Sequence, residues 1–289
     1  MTPQAGNEAN SLIFLYTKSP LSFLRPFFSG LSDVSAVTKS RPVFSPDDLY
    51  YNMSGDRYIY IFNHYAYQKT RYFNQHRPST REGTQKDVNR LSKVFSRLGF
   101  KVVAHNDLEH GDIIKEVTAI SSRDHSNTSC LFFAFLTHGE RGGDLYASDR
   151  PYQFRDVLVL LEHGHASLVA KPKVLFVQAC RGDQKDEGRR VELDSPVASY
   201  VVPTHADFLI LYSTVEDYLS YRDTNGSFMI QDLCNIIESY HESCDLLHLI
   251  TLVHHRVAYH RSTYAPKSTH HNKKQMPETR FSLTKLLKL

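Results

Sequence analysis

The sequence predicts an α/β fold: a mostly parallel central sheet flanked by helices on both faces. Three observations predict it. Short apolar runs without polar alternation recur, as over residues 130–136 and 174–179, and such runs are strands buried on both faces. Between them lie segments with apolar residues at helical spacing, such as Val88, Leu91, Val94, Phe95 and Leu98. The two kinds of segment alternate, as they do when crossover helices join parallel strands.

Taken in order, residues 1–50 carry Pro, Ser and Gly without a sustained period and read as an N-terminal extension. That is too short for a helical-bundle adaptor domain. The first strand covers 58–63, and a polar loop runs from His64 to Arg81. The helix through Val88 and Leu98 stops at Gly99, since glycine tolerates the left-handed conformation at a helix end. A strand over 100–104 follows. Ile113, Ile114, Val117 and Ile120 mark a second helix, then comes the strand 130–136. Phe154, Val157, Leu158 and Leu161 mark a third helix before the strand 174–179. Residues 181–205 have no period and are rich in Asp, Glu, Arg and Pro. The sheet resumes over 208–212. Two helices follow, one through Phe228, Leu233, Ile236, Ile237 and Tyr240, the other through Leu246, Leu249, Ile250, Val253 and Val257. The stretch 262–274 is polar and His-rich, and Phe281-Ser282-Leu283 is expected as a last short strand.

Composition excludes several classes. A chain of 289 residues is long enough to bury a sizeable core. A net charge of +3 gives no case for a nucleic-acid partner. The cysteines, Cys130, Cys180, Cys234 and Cys244, lack CxxC spacing, which argues against a zinc site or a disulfide framework and for reduced thiols in the cytoplasm. No metal or cofactor is expected. The apolar run Leu12-Ile13-Phe14-Leu15-Tyr16 is too short to span a bilayer and lacks the charged flank of a secretion signal. No membrane partner is expected.

The chemistry concentrates at two strand ends. Leu175-Phe176-Val177-Gln178-Ala179-Cys180-Arg181-Gly182 ends an apolar run in a cysteine, and Leu136-Thr137-His138-Gly139-Glu140 ends another in a histidine. In open α/β sheets, functional groups sit just past the carboxyl ends of strands. A nucleophilic thiol needs a base or cation nearby. The interval between His138 and Cys180 accommodates a crossover helix, so adjacent parallel strands would bring both to one edge. Among 16 histidines a lone His138 would be read as a surface residue, and a lone Cys180 as a buried thiol. Their matched positions beside glycine argue otherwise. Gly139, lacking a side chain, lets a backbone N–H approach a developing oxyanion, with the N–H of Cys180 as the second donor.

These motifs resemble the caspase family, the cysteine-aspartic endopeptidases. Gln178-Ala179-Cys180-Arg181-Gly182 matches the family's cysteine signature, and Thr137-His138-Gly139-Glu140 is similar to its Ser-His-Gly-Glu motif with the hydroxyl kept. The resemblance covers residues 51–289 and favours short-prodomain, effector-type members. It implies the caspase-like three-layer sandwich, a His138–Cys180 dyad with Gly139 in the oxyanion hole, and an aspartate-binding S1 pocket of Arg81, Gln178 and Arg222. Guanidiniums pair bidentately with carboxylates, which accounts for aspartate selectivity. Lys273-Lys274-Gln275-Met276-Pro277 is similar to the family's C-terminal segment. Leu219, Ser220 and Tyr221 would line the substrate cleft, with Tyr221 where many members have Trp. Asp223 stands where several members have Asn, which bears on P4. By the same resemblance, 51–194 would be the large-subunit part and 195–289 the small-subunit part of one catalytic domain. Processing is expected after Asp194 in Val191-Glu192-Leu193-Asp194, with Asp183 and Asp186 as rivals. Implied partners are protein substrates with exposed Asp-containing loops, a second processed protomer in a homodimer, an upstream activating caspase and inhibitor proteins. Apoptotic proteolysis in the cytoplasm is the implied role.

Two other functions compete. A non-catalytic member would regulate an active partner, but no expected catalytic residue is missing. A plain doubly wound ligand-binding module would carry a Gly-rich phosphate loop after a strand, and none is present.

Overall fold

The computed structural model describes residues 47–181 and 206–289, except 217, 224, 265, 267 and 270 and the side chain of residue 141. The N-terminal extension up to residue 46 and the expected processing sites Asp183, Asp186 and Asp194 lie outside the described residues.

The strands of the main sheet are β1 (Asp56–Asn63), β2 (Lys101–Asn106), β3 (Thr128–Leu136), β6 (Lys173–Gln178), β7 (Phe208–Tyr212) and β10 (Glu278–Phe281). Two small hairpins supply β4 (Asp144–Tyr146) with β5 (Pro151–Gln153), and β8 (Arg222–Asp223) with β9 (Gly226–Ser227). The helices are α1 (Thr84–Arg97), α2 (His110–Ser121), α3 (Phe154–Glu162), α4 (Phe228–Tyr240) and α5 (Leu246–His260).

The sheet order is β10-β7-β6-β3-β1-β2. All neighbours pair parallel except β10, which runs antiparallel to β7 at one edge. The chain therefore winds outward through β2 on one side of β1, then reverses through β3, β6 and β7 on the other. Ligands of such folds bind past the carboxyl ends near that reversal.

Both faces of the sheet are covered, which is why its strands do not alternate with polar residues. Every residue of β3 is buried. One face carries Ile59, Ile61, Phe132, Ala134, Phe176 and Leu211 against the apolar sides of α1, α4 and α5. The other carries Tyr60, Phe62, Phe133, Phe135, Leu175 and Ile210 against α2 and α3. The expected three layers are thus present. Gly99 adopts φ +78° and ends α1. Asp245 caps α5 by accepting from the amides of Leu247 and His248 at 2.9 and 3.3 Å.

Two expectations need correction. The last strand is Glu278–Phe281, not Phe281-Ser282-Leu283. It is a part-exposed edge strand, so it needs no apolar run to hold it. The stretch from His64 to Arg81 is not a wholly polar, exposed loop: the aromatics Tyr67 and Phe73 are buried in it, and so are the polar His64 and Arg81.

Candidate active site

The register of β3 on β6 places the two motif residues. Leu136 is opposite Gln178, and the amide of Thr137 donates to the Gln178 carbonyl at 3.1 Å. His138 and Cys180 therefore each leave their strand at the same distance past a matched pair. Cys180 is part-exposed and free. Its sulfur lies 3.8 Å from the Ser220 carbonyl.

The backbone is braced on both sides of Cys180. Ser213 Oγ, just past β7, accepts from the Ala179 amide at 3.2 Å and donates to the Ala179 carbonyl at 2.8 Å. On the other side, the Arg181 amide donates to the Tyr218 carbonyl at 3.1 Å. The Arg181 guanidinium pairs with Glu278, approaches Glu216 at 3.7 Å and lies 4.2 Å from the Tyr212 ring centre. Arg181 thus anchors the turn at Cys180 to the sheet edge.

The His138 ring is held at Nε2, 2.8 Å from the Ser79 carbonyl. A carbonyl only accepts, so Nε2 carries the proton and Nδ1 keeps its lone pair. Among the described residues no hydrogen bond joins the ring to the Cys180 sulfur. Burial pushes the imidazole down to about 4, with the charges of Arg81 and Arg222 acting in the same direction. His138 is therefore neutral at pH 7 and able to take a proton.

Gly139 is required by space. A Cβ there would collide with the Cys180 carbonyl and meet the Asp144 carbonyl at 3.0 Å. Gly139 faces Leu145 in an isolated antiparallel bridge. The hydrogen bonds around it run from Tyr146 N to His138 O and from Glu140 N to Asp144 O, so Gly139 sits in a non-hydrogen-bonded pair. Its own N–H points away from the hairpin.

Arg81 is buried, and among the described residues it forms no ion pair, the Asp87 carboxylate acting on it only through its charge. Its Nη1 donates to the His64 carbonyl at 3.1 Å and to Thr84 Oγ1 at 2.7 Å, while Nε has no hydrogen-bond partner. Burial pushes the guanidinium down to about 10, and the charge of Arg222 lowers it further. Gln178 is buried, donates to Ser220 Oγ and leaves its Oε1 unpartnered. Arg222, in β8, is exposed and forms no ion pair among the described residues. Arg81, Gln178 and Ser220 thus gather around Cys180.

Leu219 and Ser220 are part-buried and Tyr221 is buried. The Tyr221 amide donates to Gln275 Oε1 at 2.7 Å, and Gln275 Nε2 donates to the Ser213 carbonyl at 2.7 Å. The Asp223 carboxylate accepts from the Asn225 amide at 2.6 Å and from Gln231 at 3.0 Å, and lies 4.0 Å from Arg261. Its charge is therefore partly compensated.

Sequence reasoning missed Ser213 and Tyr67. Ser213 follows its strand as His138 and Cys180 follow theirs, so the strand-end rule could have flagged it. Tyr67 left no such signal, being one aromatic in a loop. Among the described residues no cluster of three metal-ligating side chains occurs, and no helix is long and apolar enough to cross a membrane.

The caspase-domain family description matches residues 56–288. The chain is 40% identical over 247 residues to Caspase-1 of Spodoptera frugiperda, covering 82% of this chain and 80% of that protein. It is 34% identical over 274 residues to Caspase-6 of Mus musculus, covering 89% and 97%. The crystal structure of Caspase-1 from Spodoptera frugiperda superposes with a TM-score of 0.75 at 37% identity, covering 86% of this chain and 96% of that one. Fold and comparisons together define a cysteine peptidase built on a mainly parallel α/β sandwich. The chain belongs to the caspase family.

Proposed function

We propose that the protein is an endopeptidase that cleaves protein substrates after aspartate, with His138 and Cys180 as its dyad. The observation that carries this reading is the buried guanidinium of Arg81, which forms no ion pair among the described residues and lies near enough to the Cys180 thiol for their charges to interact. A buried cation is costly unless paired, and a substrate aspartate side chain is the missing partner. Arg222 would approach it from the exposed side, and Gln178 would accept from a substrate N–H.

The chemistry then follows. The thiol proton passes to His138 Nδ1 while Nε2–H stays on the Ser79 carbonyl. The thiolate sulfur attacks the carbonyl carbon, and the oxyanion is met by the amides of Gly139 and Cys180. His138 returns its proton to the leaving amine as the C–N bond breaks. Water, deprotonated by His138, then hydrolyses the thioester and frees the thiol. The absence of a His138–Cys180 hydrogen bond is compatible with this order, because free enzymes often tighten such contacts only with substrate bound.

By kinship with the relatives above, the protein would act in apoptosis in the cytoplasm as a homodimer of processed protomers. Activation would follow cleavage after Asp194, and mass spectrometry of self-processed protein should find a small-subunit N-terminus at Ser195. Hydrolysis of Asp-containing peptides by wild type and Cys180→Ala tests the core of the reading. Wild type should cleave and Cys180→Ala should not, while His138→Ala should lose ~10²–10⁴-fold. Equal turnover by Cys180→Ala would end it.

A further inference from the structure

The His138 ring is fixed at one edge by the Ser79 carbonyl and its main-chain carbonyl by the Tyr146 amide, which leaves its amide and the face of the ring. Tyr67 holds both. Its ring centre lies 5.0 Å from that of His138, with the planes 33° apart. Its hydroxyl accepts from the His138 amide at 3.0 Å and bonds Thr137 Oγ1 at 2.9 Å.

The direction of these bonds can be assigned. Thr137 Oγ1 donates its only proton to the Tyr146 carbonyl at 2.6 Å. It must therefore accept from Tyr67, which leaves the phenol oxygen to accept from His138 N–H. One chain of donors thus ties the loop after β1, the end of β3 and the strand β4. The phenol is buried, so a broken link in this chain would find no water. Tyr67 is itself wedged, edge-on to Phe73 and Tyr146 and stacked on His64.

We propose that Tyr67 is a positioning residue for His138: its hydroxyl locks the main chain at His138 and its ring backs the imidazole, so that a single tautomer and ring orientation persist. The kinetic part of this proposal rests on the reading of His138 as the acid–base group. Thr137 belongs to the same device, since its hydroxyl relays the bond to Tyr146.

The groups facing His138 are His64 and Arg81 on the β1 side, Arg222 on β8, Tyr146 on β4, and Tyr67 itself. Tyr146 meets the ring edge-on at 6.1 Å and bonds the His138 carbonyl, whereas Tyr67 lies over the ring at 5.0 Å and holds the His138 amide through its side chain, so its hydroxyl can be removed without touching the main chain. Replacing it by phenylalanine removes the hydroxyl and keeps the ring.

Tyr67→Phe should lower kcat about three- to tenfold with KM within about twofold, the loss expected when one buried hydrogen bond holding an acid–base group is removed. Tyr67→Leu, which also removes the ring, should lose more. The ring nitrogen resonances of His138, read by ¹⁵N NMR in the Cys180→Ala background, should report one tautomer when Tyr67 is present and a mixture in the Tyr67→Phe variant. A lowered melting temperature in Tyr67→Phe, with kcat and the ¹⁵N signature unchanged, would reduce Tyr67 to a structural role and overturn the proposal. Should wild type hydrolyse no aspartyl peptide, the peptidase reading fails. The ¹⁵N comparison still decides the role of Tyr67. If Tyr67→Leu does not fold, Tyr67→Phe alone carries the test.

Discussion

Replacing Arg81 with methionine should leave the fold intact or strengthen it while removing aspartate recognition. At pH 7 the guanidinium is charged in both the folded and the unfolded chain. Burial lowers it from 12.5 to about 10 in the fold. At ~1.4 kcal/mol per pKa unit, holding that charge costs the folded protein about 3 kcal/mol. Against this stand the hydrogen bonds to the His64 carbonyl and Thr84, worth roughly 1 kcal/mol each. Methionine fills similar space without charge, so the net change should be small or favourable, a rise of no more than a few degrees in melting temperature. The cost falls on the substrate. Losing a charged partner for a carboxylate removes about 1.5–3 kcal/mol, or roughly 10- to 150-fold in kcat/KM. The assay pairs thermal denaturation with hydrolysis of matched peptides carrying Asp or Asn at the cleavage position. Wild type should prefer Asp strongly, and Arg81→Met should lose most of that preference. A melting temperature lowered by more than ~5 °C, about 2 kcal/mol for a domain of this size, together with an unchanged Asp/Asn ratio would refute the reasoning. It would mean that Arg81 serves the fold rather than the substrate.

Gly139→Ala should lose activity well before it loses its fold, because the new Cβ would collide with the Cys180 carbonyl; Cys180 alkylation and circular dichroism on the same sample separate the two effects. Burial holds His64 at about 4 against its ordinary 6.5, so the unfolded chain takes up a proton the fold refuses, and stability falls as pH drops from about 6.5 towards 4. His64→Phe should escape that loss, about 2–3 kcal/mol by pH 4.5, and urea denaturation at pH 6.5 and 4.5 would show the same drop in unfolding free energy for both proteins if the idea is wrong. Asp87 is raised to about 6 by burial and works in the opposite direction over the same range, so the comparison must be between variants and not of wild type alone. Val-Glu-X-Asp peptides should be cleaved faster than Asp-Glu-X-Asp peptides, and Asp223→Asn should narrow the ratio a few-fold, the worth of one partly screened like charge; an unchanged ratio would remove Asp223 from P4 selection.

The architecture and two of its landmarks were legible in the residues. Nine consecutive buried positions in β3 and the six of β6 produce apolar runs with no polar alternation, and only a sheet covered on both faces needs such runs. The rule that function gathers past strand ends then marks His138 and Cys180. Where burial is partial, the pattern fades. The edge strand Glu278–Phe281 is Glu-Thr-Arg-Phe, held by main-chain bonds to β7 that any residues could make, so no apolar run marks its position. The proposed substrate pocket is a different case. Arg81 looks like any charged loop residue, and only the folded chain reveals that it is buried and, among the described residues, without an ion pair. Tyr67 and Ser213 act through contacts to Thr137, His138 and Ala179 across sequence gaps that carry no period. Periodicity records which face of an element meets the core. The pairing of loop side chains depends on where the sheet places the loops, and only the tertiary structure decides that.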